Sequence, residues 1–202
     1  MLIHNLDIII KSNEQELLKT GLFAEDLQPI NFIHFIEHGK TLSNQFSLKN
    51  LSLDQELFLL KFIAEHFSGH EEGLKMQLLN RLKYEVISSL SNKERLFVLL
   101  SDEIIKNQLV TVFLKDCEYL MKLLAYDDEG FVQEEIRMIV DLVIDIFQAS
   151  VALSFDTTNT FEALKTELKK AMKRKKFRDL FRNEYFALAN ENRNQFLEVL
   201  MG

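Results

Sequence analysis

A single proline and six glycines punctuate 202 residues, and that scarcity limits the folds open to this chain more than any other feature. A sheet built from many short strands needs turn chemistry at short, regular intervals, and Pro and Gly supply most of it. Leu, Lys, Glu and Phe are abundant and Trp is absent. The expectation is an all-α fold, a single helical bundle of about seven to nine helices. With 47% hydrophobic residues the chain can bury a core of ordinary domain size. The expected division is an N-terminal helical appendage over 1–50 and a main bundle over 51–202.

The few punctuation marks bound particular helices. Pro29 suits a first helical turn, INFIHFIEH follows at helical spacing, and Gly39 supplies a stop. Ser52 with Gln55 spells a capping box ahead of LFLLKFIAEHF, which stops at Gly69. Ser91 with Glu94 spells another ahead of RLFVLL. Further helical runs are expected over 71–90, 102–126, 132–153, 161–176 and 177–201, with SFDTTNT (154–160) as the clearest linker. The 132–153 run carries Val132, Ile136, Ile139, Val143, Phe147 and Val151 on one face, and Leu142, Ile146, Ala149 and Leu153 on a second. Only a thin polar stripe of Glu134, Arg137, Asp141 and Asp145 remains, so a central helix is expected here. Within that stripe Arg137 and Asp141 are neighbours at i, i+4, the spacing of a solvated edge.

The opening MLIHNLDIIIK has no early basic cluster and Asp7 interrupts its apolar run, which is unlike a signal peptide. Charged residues break every other apolar stretch before the roughly 18 residues a membrane span requires. The lone Cys117 excludes an intramolecular disulfide and is expected as a buried thiol in a reducing compartment. A cytoplasmic location is expected.

An internal echo links two segments. LLKFIA from Leu59 and LMKLLA from Leu120 share Leu, Lys and Ala; Gly69 and Gly130 each follow the alanine by five residues; EEGLKM and EEIRM come next. A duplicated helix-turn-helix and chance agreement both account for this.

The second copy contains LAYDDEGFVQEEIRMIV, in which three acids precede a glycine and two more open the next helix. Calcium in an EF-hand needs about six oxygens around a 12-residue loop. With Gly130 at the sixth position, Asp127 and Glu129 fall on ligand positions, but Ala125 takes the first and Ile136 the last, so the register fails. An acidic turn remains, made of Asp127, Asp128 and Glu129 with Glu134 and Glu135. It is either a weak divalent-cation site or a solvated turn whose last two acids complement the helix N-terminus.

The order of apolar helix, Asp-Asp-Glu-Gly turn, two spacers and paired Glu resembles the repeated motif of the TerB-like tellurite-resistance family, over roughly residues 59–147. The resemblance implies a small all-α protein with two helical hairpins carrying acidic turns, metal binding, and stress or membrane-associated signalling. Carried over, it makes Asp127 or Asp128 and Glu134 or Glu135 the site. In this chain Glu129 intervenes before the glycine, and the first copy offers Glu65, His66, His70, Glu71 and Glu72 in place of Asp.

Two further features carry chemistry. His34-Phe-Ile-Glu37-His38 matches the H-x-x-E-H spelling of inverted zinc peptidases, in which histidines at i and i+4 hold zinc and a glutamate activates its water. His38 beside the stop glycine equally suits a helix C-terminus. Between Lys165 and Arg182, nine bases and two acids give a net charge of +7, leaving −14 on the rest of the chain. Lys165, Lys169, Lys170, Lys173, Arg174 and Lys176 are the candidate polyanion-binding residues there. They sit beside an apolar stripe of Phe161, Leu164, Leu168 and Met172. Such a face suits nucleic acid, anionic lipid or an acidic partner, or else complements the chain's own acidic body or a second subunit.

These observations lead to a non-enzymatic helical binding or regulatory protein acting through protein contacts or self-association. No cofactor is expected beyond a weakly held divalent cation. The alternatives are a nucleic-acid-associated factor using 165–182 and a zinc hydrolase using His34, Glu37 and His38.

Overall fold

Nine α-helices and no strand form among the residues that the computed structural model describes, which are 2–23, 27–38, 51–67, 73–125 and 132–187. They are α1 (Leu2–Lys19), α2 (Pro29–His38), α3 (Leu53–His66), α4 (Leu74–Ser88), α5 (Lys93–Leu100), α6 (Glu103–Ala125), α7 (Gln133–Leu153), α8 (Asn159–Met172) and α9 (Lys175–Ala187). The all-α fold expected from sparse turn chemistry is therefore the fold that forms. No described helix is long and apolar enough to cross a membrane.

Helix starts follow local capping chemistry. Pro29 is the first residue of α2. At α3 both halves of the capping box close: Gln55 N donates to Ser52 Oγ at 3.3 Å, and Ser52 N donates to Gln55 Oε1 at 2.9 Å. Gln55 also donates from Nε2 to the Thr20 carbonyl at 2.6 Å, tying this start to the end of α1. The cap of α5 is one residue later than its spelling implies: Arg95 N donates to Asn92 Oδ1 at 3.1 Å. Asparagine and serine are comparable caps, and here the Asn92 oxygen takes the position. The linker 154–160 also gives up its end to a helix, because Thr158 caps α8 and Asn159 is already helical. Gly39, Gly69 and Gly130, the expected stops, lie outside the described residues.

The chain divides into two units. The first comprises residues 1–85 and 101–105, with α1, α2, α3 and most of α4 among its described residues. Its centre is aromatic. Phe32 meets Phe23 at 5.4 Å, Phe62 edge-on at 5.6 Å and Phe67 at 5.8 Å, while Phe23 meets Phe35 edge-on at 5.0 Å. Such pairs each add about 0.5–1.5 kcal/mol to the burial of the rings. Leu6, Ile10 and Leu17 from α1, Leu59, Leu60 and Ile63 from α3, and Leu74, Leu78 and Leu82 from α4 are buried as well. Gly73, at φ +85°, brings its backbone against α2: a Cβ there would lie 2.6 Å from the Glu37 carbonyl oxygen and 3.0 Å from that of Ile36. Among the described residues of this unit one carboxylate is buried, that of Glu56, against the Arg81 guanidinium. Burial pushes its pKa above 4.5, with Arg81 opposing and Glu85 adding to the rise.

The second unit comprises residues 86–100 and 106–202. Its helix α7 buries Ile136, Ile139, Val140, Val143, Ile146, Phe147, Ala149, Ser150 and Leu153. Val132 and Val151, expected on the inward face, are exposed. Each sits at an end of the helix, where the apolar stripe runs past its packing partners. Arg137 and Asp141 are both exposed. Packed on α7 is α9, whose Phe177, Phe181 and Tyr185 recur at i, i+4, i+8 and are buried. Phe155 bridges Phe113 of α6 (5.9 Å) and Phe161 of α8 (5.8 Å).

Candidate functional site

The acidic turn is described only at its helical end, since Asp127, Asp128 and Glu129 lie outside the described residues. Glu134 and Glu135 are exposed in the first turn of α7. Glu135 Oε2 accepts from the Val132 N–H at 3.2 Å, satisfying a donor that the helix leaves without a partner. This is one half of a capping box; Val132 has no side-chain oxygen for the other. The next contact is structural too: Gln133 Nε2 donates to Glu184 Oε1 at 2.7 Å, and Glu184 is buried on α9.

The basic run is interrupted. Helix α8 ends at Met172 and α9 begins at Lys175, so the charges gather at a joint between two helices rather than along one. Several of the six candidates are engaged within the protein. Lys165 pairs with Glu162 and lies over the Phe161 ring at 5.3 Å. Lys170 pairs with Glu167 at 2.6 Å. Arg174 donates from its guanidinium to the Leu124 carbonyl at 3.0 Å and stacks over Phe177 at 5.5 Å. Leu124 is in the last turn of α6, where carbonyls lack helical partners and a cation is favoured. Lys169, Lys173 and Lys176 are exposed, as is Lys175 beside them.

His34, Glu37 and His38 are exposed on α2, and one donor atom from each lies within 4.8 Å of the others. The two imidazoles stack with centroids 5.9 Å apart at 27°, and Glu37 Oε2 is 3.8 Å from His38 Nε2. The spacing of the spelling therefore does bring the three groups to one place.

A cleft of 540 Å³ in the first unit escaped the reading of the sequence. Its apolar wall is a ladder on α3, where Phe58 stacks on Phe62 at 6.1 Å and Phe62 meets His66 at 4.7 Å. Glu16 and Lys19 of α1 and Lys61 and Glu65 of α3 supply the charged rim. Lys61 is held to Asp102 at 2.9 Å. Only the i, i+4, i+8 aromatic spacing on α3 was available as a signal, and core packing produces the same spacing.

Cys117 is fully buried, and burial pushes its thiol up to about 12. It is a packing residue, since the thiolate is the reactive form. No family model, no curated protein and no solved structure matches the chain.

Proposed function

We propose that this is a non-enzymatic helical binding protein of the TerB-like kind, working in the cytoplasm through protein contacts. The observation that carries this is α5. Of its eight residues only Leu99 is buried, while Phe97 is 74% and Val98 48% exposed. Burying a phenylalanine is worth about 1.5–3 kcal/mol, which α5 leaves unused among the described residues. Neighbouring exposed apolar groups on a helix of this kind support a contact surface. The acidic turn would add a weak divalent-cation site in this reading, with Glu134 as its described member free of a capping role.

A photo-cross-linking residue at position 97 is expected to give one discrete adduct, with a second copy or another protein. Val98→Ser should weaken that adduct. Labelling no stronger than from the same probe at exposed Glu118 would sink the reading.

A second reading is supported by the joint between α8 and α9. Lys169, Lys173 and Lys175 are exposed and have no carboxylate within ion-pair distance among the described residues. In a gel shift with single-stranded DNA, retardation should fall steeply with salt and weaken with each Lys→Glu change. No retardation at low salt disposes of it.

A further inference from the structure

We propose that His34, Glu37 and His38 form a binding site for one divalent transition-metal ion of the zinc class. Histidines four apart share a helix face, and Glu37 is three residues from the first and adjacent to the second, so all three side chains rise from one turn. Imidazole and carboxylate are the donor set zinc takes, at about 2.0–2.2 Å from the ion. Donors on such an ion stand about 3.3–3.5 Å apart by that geometry. The groups already lie within 4.8 Å of one another. All three side chains are exposed, so their torsions are free to close the remainder.

The backbone beneath is held in place. Phe32, Phe35 and Ile36, on the opposite face of α2, are buried in the aromatic centre of the first unit. Gly73 closes against the carbonyls of Ile36 and Glu37. A rigid platform lowers the ordering penalty of binding. The ion would also sit at the last turn of α2, where the carbonyl ends of the helix favour positive charge. With three protein donors, all exposed, its remaining positions are open to water.

The full-length chain is titrated with zinc by calorimetry and with cobalt(II) by visible absorption. The expected result is one equivalent of each, with cobalt bands of tetrahedral or five-coordinate type. His34→Ala and His38→Ala should each weaken binding on the order of tenfold or more, with a smaller loss for Glu37→Gln. His4→Ala, at another exposed histidine, should leave it unchanged. Zinc should raise the melting temperature of wild type and not that of the His34→Ala/His38→Ala double variant. Because all three side chains are exposed, melting temperatures of the metal-free variants should match wild type. The proposal is overturned if wild type takes up no zinc, or if the double variant binds zinc as wild type does.

Discussion

At the scale of single residues, two glycines with positive φ separate backbone strain from steric contact. Gly21 (φ +68°) has open space where a Cβ would be, whereas Gly73 (φ +85°) faces the Glu37 carbonyl oxygen at 2.6 Å. Gly21→Ala therefore incurs only the left-handed penalty, about 1–2 kcal/mol. Gly73→Ala adds a backbone clash that no rotamer relieves. Urea unfolding is expected to show a clearly larger loss for Gly73→Ala, and equal losses would contradict the close packing of Gly73 on α2. Nothing in the local spelling EEGLKM marks this role, because the opposing carbonyl belongs to a residue far away in sequence.

At the scale of helices, capping decides the boundaries. The turn after α7 is closed by Ser154 in the left-handed region (φ 59°, ψ 41°), a conformation that favours glycine. Ser154→Gly is expected to raise stability by about 1 kcal/mol, measured as a shift in urea midpoint at constant slope. Two starts were legible, since Pro29 and the Ser52/Gln55 box sit where their spelling places them, whereas the caps Asn92 and Thr158 were not. Helix α1 was not delimited, because no cap or first-turn acid announces its start. Burial along α7 was legible in its middle and not at Val132 and Val151, since periodicity identifies a face and not where its partners stop.

At the scale of the molecule, Asp102, Lys61 and Glu56 each make the stability of the fold depend on pH. Asp102 lies below 3.8, chiefly through its hydrogen bond from Lys61. It stabilises the fold above 3.8, and that contribution is lost as pH falls through the lowered value. Lys61 is raised above 10.5 by the same bond, so its contribution disappears as pH climbs through its folded value. Glu56 works oppositely to Asp102. Its raised pKa means that its stabilising effect is full below 4.5 and lost as pH rises through the folded value. The stability advantage of wild type over Glu56→Gln should therefore shrink as pH rises above 4.5. An advantage that widens as pH rises would refute the assignment. Among the sites, the histidine cluster was legible because its members share one helical turn. The cleft was not, because α1 and α3 contribute to it from separate stretches of chain.

The bond from Arg174 to the Leu124 carbonyl has a mechanical side. It staples the joint between α8 and α9 to the last turn of α6, directly ahead of the acidic stretch 126–131. A phosphate that recruited this guanidinium would strip the last turn of α6 of its clamp.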